Sequence, residues 1–317
     1  MSERDATPDA DGVDRRGMLR CMAWVGTGLV WGVHGGVAAS RAVGQAPPAR
    51  PAAFTFAQIS DSHLGFAREP NRNVADTLRL AVERINALPT PPAFVLHTGD
   101  LTHLAKPAEF DACAEILKGL KAERVFYVPG EHDFDGDGNR AYLERHGKGT
   151  RGTGWQSFDY GGVHFVGLVN VANAKSGSGD GGLGVIGAEQ LDWLEKDLAG
   201  RADSTPVVVF AHVPLWAVHE PWGWGTRDAE RALGLLRRFG SVTVLNGHVH
   251  QVLQKVEGAV TFHAARSTAF PQAEPGKGTP GPVRGLAAEK LKSTLGIATV
   301  TYVERAGSLP VVDAPLG

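Results

Sequence analysis

Short apolar runs and amphipathic stretches alternate through the first half of the domain. Phe54–Ile59 reads as a buried strand, and Val74–Ala87 has the apolar spacing of a helix that stops at a proline cluster. Phe94–Thr98 reads as a second strand and Ala108–Leu120 as a second helix. Val125–Val128 is a third strand, turned by Pro129-Gly130. This βαβαβ rhythm predicts parallel strands joined by helical crossovers. The pattern then changes. Gln156–Tyr160 and Val163–Val169 flank Gly161-Gly162, a hairpin signal. Ser176–Gly184 is glycine-rich and reads as a surface loop, and Ala188–Leu198 as an amphipathic helix. Strands at Val207–Phe210 and Val242–Leu245 enclose a helix at Asp228–Phe239. Val252–Val256 and Val260–His263 form a further hairpin around Glu257-Gly258. Ala273–Gly285 reads as irregular and Thr299–Val303 as a late strand. No internal repeat is visible. Two βα runs with strand pairs between and after them predict two packed sheets with helices outside.

The chemistry sits where the apolar runs stop. Asp61-Ser62-His63, Gly99-Asp100, Gly130-Glu131-His132-Asp133, Ala211-His212 and Gly247-His248-Val249-His250 occur in that order, and four of the five follow a strand-like run. Ligands of open α/β sheets bind at such strand ends. A mixture of carboxylate oxygen and imidazole nitrogen suits hard-to-borderline divalent ions, with room for two. Taken singly, Asp61 and Asp100 read as turn residues; in the series they read as ligands. His248 and His250 would alternate in direction on an extended chain, so ligation by both requires a kink, for which Gly247 supplies the freedom.

The set resembles the calcineurin-like metallophosphoesterases, whose pattern reads Asp-x-His, Gly-Asp, Gly-Asn-His-Asp/Glu, His, Gly-His-x-His. The likeness runs from about Phe54 to about Ala264, with Glu131 standing where the family has Asn, and its style is that of the cyclic-nucleotide-phosphodiesterase branch. It implies a four-layer α/β/β/α sandwich of two mixed sheets, with a dinuclear metal site at the strand C-terminal ends. It further implies that Asp100 bridges two metals (Mn, Fe or Zn), that Asp61, His63 and His250 complete the first, and that His212 and His248 bind the second with Glu131 in the Asn position. His132 would protonate the leaving oxygen, with Asp133 read first as orienting it and second as capping the loop, while a metal-bridging hydroxide attacks a phosphate mono- or diester. The alternative is a non-catalytic metal-binding or interaction protein on the same scaffold, disabled by Glu131; retention of His132 speaks against it.

Composition adds little. The 317 residues are 43% hydrophobic and 21% charged, with a net charge of −2. Bulk charge therefore gives no reason to expect nucleic acid as a partner. The amino-terminal segment says more. Arg15-Arg16, an apolar Met18-Leu19, Arg20 and a glycine-containing apolar stretch, Cys21 to Val37, resemble a twin-arginine export signal. The stretch is short for a stable membrane anchor. The expected division is an export signal at 1–42, a Pro/Ala-rich tether at 43–53 and a metallophosphoesterase domain at 54–317, placing the protein in the periplasm or elsewhere outside the cytoplasm. The expected partners are a small phosphoester substrate and the twin-arginine machinery.

Other reactive residues receive plainer readings. Cys113 lies in an amphipathic helix and reads as core. His97 reads as a packed strand residue, His103 as a candidate for supporting the ligands, and His219 and His263 as neighbours of the pocket. Arg266 reads first as a surface pairing residue and second as a contact for phosphate. Trp216, Trp222 and Trp224 follow His212 and are read first as loop packing, second as a stacking surface for substrate.

Overall fold

The computed structural model describes residues 29–34, 37–42, 53–134, 138–171, 183–304 and 309–317. The chain divides into two compact units, Met1–Pro51 and Ala52–Gly317. In the first, the described residues form an antiparallel pair, β1 (Leu29–His34) and β2 (Val37–Ala42). The paired arginines, Cys21 and the Pro/Ala-rich run after Ala46 lie outside the described residues, as does most of the Ser176–Gly184 loop.

The second unit holds two mixed sheets. One has five strands in the order β13-β12-β3-β4-β5, the other six in the order β10-β11-β9-β8-β7-β6. In the first, β3 (Ala53–Ile59), β4 (Val95–His97) and β5 (Val125–Tyr127) run parallel, linked by helices α1 (Val74–Asn86) and α2 (Pro107–Leu117). The antiparallel pair β12 (Gly296–Val303) and β13 (Val311–Pro315) extends its other edge. In the second, β7 (Val163–Gly167), β8 (Val207–Phe210), β9 (Val242–Asn246) and β11 (Val260–Ala264) are parallel. Antiparallel β6 (Gln156–Tyr160) and β10 (Leu253–Glu257) flank them.

Side-chain alternation makes four layers. On β3, Phe54 and Phe56 enter the space between the sheets, while Ala57 and Ile59 face helices. On β8, Val208 and Phe210 meet the opposite sheet, while Val207 and Val209 pack on α4 (Ala188–Leu198) and α5 (Ala229–Leu236). Strands buried on both faces lose the apolar–polar alternation and read as continuous hydrophobic runs. Helix α1 buries Val74, Leu78, Ala81, Val82 and Ile85, one stripe at helical spacing, against the five-stranded sheet.

The inter-sheet core is aromatic at one end, where Phe94 stands edge-on to Phe126, Phe158 and Phe165. Toward the strand C-termini it turns polar. Buried Gln58 donates from Nε2 to Thr98 Oγ1 (3.0 Å) and to the Asn246 carbonyl (3.1 Å), tying one sheet to the other. His263 does not border the pocket: its Nε2 lies 2.9 Å from Asp313 Oδ2, a second polar link between the sheets. The thiol of Cys113 is buried in the helix-side core, and burial pushes its pKa up, so it stays an unreactive packing group.

Candidate metal centre

Backbone geometry marks the site before any side chain is considered. Six non-glycine residues have positive φ among those described, and five belong to the sequence motifs: Asp61 (54°), His63 (42°), Asp100 (52°), His248 (67°) and His250 (54°). Left-handed conformations cost of order 1–3 kcal/mol each and persist where the surroundings impose them. They replace the expected kink at Gly247: His248 and His250 take left-handed turns themselves, and so both reach the centre. Gly247 serves close approach, since a Cβ there would collide with Ser60 Oγ and crowd Asp61 Oδ2. Gly130 does the same for Asp100 Oδ1.

All seven predicted ligands converge. Asp61, His63 and His250 form one set of donor atoms, and Glu131, His212 and His248 another, with no residue in common. Asp100 joins them: its Oδ2 lies 3.4 Å from His63 Nε2 and 3.3 Å from His212 Nε2. In the first set, His250 Nε2 lies 3.2 Å from Asp61 Oδ1 and 3.3 Å from His63 Nε2. In the second, Glu131 spans two imidazoles, with Oε2 3.0 Å from His212 Nε2 and Oε1 2.9 Å from His248 Nδ1.

These residues fit metal ions. Glu131 Oε2, His212 Nε2 and both ring nitrogens of His248 are buried without a hydrogen-bond partner. Close as they are, they aim at shared space and not along hydrogen bonds to one another, an arrangement that is costly unless a cation accepts their lone pairs. The rings are also pre-set. His212 Nδ1–H donates to the Thr98 carbonyl (2.7 Å) and His250 Nδ1–H to the Phe270 carbonyl (2.6 Å). Each leaves Nε2 as the lone-pair donor, the usual device around ligating histidines.

Charge follows geometry. Burial alone would raise the Asp61 carboxyl, yet His250 and His212 hold it at about 2. Burial acts the same way on Glu131, and His248 and His212 overcome it, keeping its pKa well below the usual range. For His212, burial favours the neutral ring, but Asp100 and Glu131 drive it well above the ordinary value. A proton there supplies charge that a metal ion would supply, so the two compete.

His132 stands beside the ligands. Its backbone N–H donates to Asp100 Oδ1 (2.9 Å), and its ring Nδ1–H donates to the His103 carbonyl (2.8 Å). Burial pulls its pKa down, but Asp100 and Glu131 outweigh burial and hold it above the ordinary value. Asp133 takes the second of its two expected parts, capping the loop, and not the favoured one of orienting His132. Its carboxylate accepts the backbone N–H groups of Leu101 (3.1 Å), Thr102 (2.9 Å) and Gly130 (3.0 Å) and the Thr102 hydroxyl (2.9 Å). It staples the second motif to the third, and orientation of the His132 ring falls to His103.

His103 is thus the residue whose part was underread. Its carbonyl holds His132, and its Nδ1 lies 3.4 Å from His63 Nδ1. His97 is a core residue as expected, its Nε2 2.8 Å from Ser62 Oγ. Arg266 turns away and donates to the Ser293 carbonyl. Trp216 packs on Phe262 and Trp224 is buried, matching the loop-packing reading, but Trp222 and an edge of Trp224 also line the cavity above the centre. That cavity measures about 270 Å³. His219 does not line the cavity itself; it packs on Trp222 and exchanges backbone hydrogen bonds with Trp224, both of which do.

A family model for calcineurin-like phosphoesterases matches residues 54–252. A 3′,5′-cyclic-nucleotide phosphodiesterase of Nostoc sp. is 25% identical over 68% of this chain and 79% of its own length. A glycerophosphodiester phosphodiesterase of Enterobacter lignolyticus is 27% identical over 62% of this chain and 71% of its own. Among solved structures, a dimetal phosphatase from Danio rerio shares the fold with a TM-score of 0.61 at 17% identity, covering 83% of this chain and 96% of that one.

Proposed function

Because the chain belongs to the calcineurin-like phosphoesterase family, we propose that it is an exported, two-metal phosphoesterase that prefers phosphodiesters to monoesters. The observation that carries the two-metal reading is Asp100 Oδ2, which lies between two ligand sets that share no residue. Mn, Fe and Zn all suit these donors. When bound, the metal ions supply a water of lowered pKa and offset charge on the phosphoryl oxygens.

The remaining work belongs to side chains. His132, whose pKa Asp100 and Glu131 hold above the ordinary imidazole value, can pass a proton from Nε2 to the departing oxygen. Its Nδ1–H bond to the His103 carbonyl fixes the direction in which Nε2 points. The buried rings and carboxylates hold the donor atoms in place before substrate arrives, so little reorganisation accompanies reaction.

The diester preference rests on Glu131. With Asp61 and Asp100 it brings a third carboxylate to the centre. A diester carries one negative charge and a monoester up to two, so the extra carboxylate penalises the monoester more. The names of the Nostoc and Enterobacter relatives agree with this preference. Export is supported by Arg15-Arg16 and the apolar stretch after it; retention of an Arg15→Lys/Arg16→Lys variant in the cytoplasm is the expected result of fractionation.

The test is metal content of protein folded in its native host, paired with hydrolysis of bis- and mono-p-nitrophenyl phosphate, with and without added manganese or chelator. About two metals per chain, chelator-sensitive turnover and faster cleavage of the bis ester are expected. Turnover with the monoester favoured would overturn the diester assignment. No turnover with any metal would leave a metal-binding protein.

A further inference from the structure

The cavity over the metal centre opens onto a second surface. Among the described residues Arg68 is the one permanently cationic residue lining that cavity, and it also lines an adjoining open groove of about 540 Å³ together with Arg72 and Arg284. Among the described residues the groove's one acid is Glu69, which pairs with Arg72 at 3.2 Å. Among the described residues the guanidinium groups of Arg68 and Arg284 have no carboxylate partner; Arg68 rests 5.4 Å over the Phe66 ring. In a chain of net charge −2, this is a local excess of positive charge at the mouth of the metal site.

Two loops deliver these arginines. Arg68 and Arg72 lie on the segment that follows ligand His63. Arg284 lies near the end of the Pro/Gly-rich segment Ala273–Gly285, which is anchored to the other side of the centre. There Gln272 Nε2 donates to the carbonyl of ligand His248 (2.9 Å) and Gln272 Oε1 accepts the Gly281 N–H (3.0 Å). The Val283 N–H donates to the Pro271 carbonyl (3.0 Å). The position of Arg284 is thereby set by residues that touch the site.

We propose that Arg68, Arg72 and Arg284 form a distal phosphate subsite, so that the preferred substrates are phosphodiesters carrying a second phosphoryl group. The proposal rests on the phosphodiesterase reading above. Guanidinium forks match phosphate oxygens in pairs. Three carboxylates at the centre repel a phosphate dianion, whereas the arginine groove offers it a place outside that field while the diester occupies the metals.

Two matched esters test this: thymidine 5′-(p-nitrophenyl phosphate), and the same compound bearing a 3′-phosphate. The ratio of their kcat/KM values, read from p-nitrophenolate release, isolates the distal group. In the wild-type enzyme the 3′-phosphate is expected to raise kcat/KM roughly tenfold, mainly through KM. Arg68→Ala and Arg284→Ala should each cut that ratio roughly fivefold, and added salt should lower it as well. A wild-type ratio near one, or a ratio unmoved by both substitutions, would overturn the subsite while the diesterase reading stands. Cleavage of neither ester, nor of bis-p-nitrophenyl phosphate, would sink both.

Discussion

The two ligand sets that meet at Asp100 are built unequally. Asp61, His63 and His250 are all buried, and His250 is pinned by a backbone carbonyl. In the second set only His212 is buried; the side chains of Glu131 and His248 are 15% and 14% exposed and line the cavity. The first set is thus the more closed side and the second the more open one, although His63 and His250 line the same cavity as Glu131 and His248. A closed cage exchanges its ion slowly, and an open one leaves coordination positions for the reacting group. On the two-metal proposal, the more closed side is the one expected to retain its metal and the more open side the one expected to exchange it, with Asp100 next to both.

Removing the shared residue should erase the distinction and have the largest effect. Asp100→Asn takes away the charge common to both sets and weakens the anchor for the His132 N–H. Metal content should fall on both sides, and hydrolysis of bis-p-nitrophenyl phosphate should drop roughly a thousandfold, about 4 kcal/mol in the barrier. Two metals retained at full occupancy would show that Asp100 is not the bridge.

How far this inequality was legible in the sequence differs between its parts. The converging residues were visible because four of their five segments stand at the end of an apolar run, and a strand such as Val207–Phe210, buried on both faces, writes that run plainly. The four layers were visible for the same reason. The short helix α3 (Arg140–His146) was missed because Tyr142 is its one buried residue, and α6 (Ala288–Thr294) because it buries none. Strand β13 was missed because it lies on an edge, half exposed, and exists through its pairing with β12. The tasks of Asp133 and His103 depend on tertiary contacts. The isolated bridge between Leu64 and Thr102 brings the first and second motifs side by side, and no local pattern announces it.

Paired substitutions sharpen the contrast next. His250→Ala removes a partner from fully buried Asp61. Leaving a buried charge uncompensated costs about 3–5 kcal/mol, so this variant should lose the retained metal and melt lower. His248→Ala should leave that metal in place, lose the exchangeable one, and fall roughly a hundredfold in activity, with partial recovery in excess manganese. Metal titration followed by thermal melts reads both. If the two variants lose metal alike, the cage and the open site are not different.

Glu131→Asn alters only the open side. One carboxylate fewer weakens repulsion of the second monoester charge by about 2 kcal/mol, taking an effective dielectric of about 20 and a separation of about 8 Å. The mono-to-bis preference for the p-nitrophenyl esters should move toward the monoester by roughly thirtyfold. A loss of the second metal, with both esters falling together, would show instead that Glu131 acts chiefly as a ligand.

The smallest expected effect concerns the closed side and is the most diagnostic of how it is held. His212 and His250 are oriented by carbonyl oxygens, which can only accept. His63 is oriented by the ring of His103, which can accept or donate. For His63 Nε2 to ligate, His63 Nδ1 must carry the proton and His103 Nδ1 must accept it, so His103 must be the Nε2–H tautomer. His103→Ala removes that acceptor but keeps the backbone carbonyl that holds His132. Affinity for the retained metal should fall roughly tenfold, while turnover of fully metal-loaded enzyme changes little. His103→Asn, which can offer a side-chain oxygen to the same proton, should recover part of the affinity. If His103→Ala slows the metal-saturated enzyme and leaves metal affinity intact, the ring acts on His132 and not on His63, and the closed cage owes nothing to it.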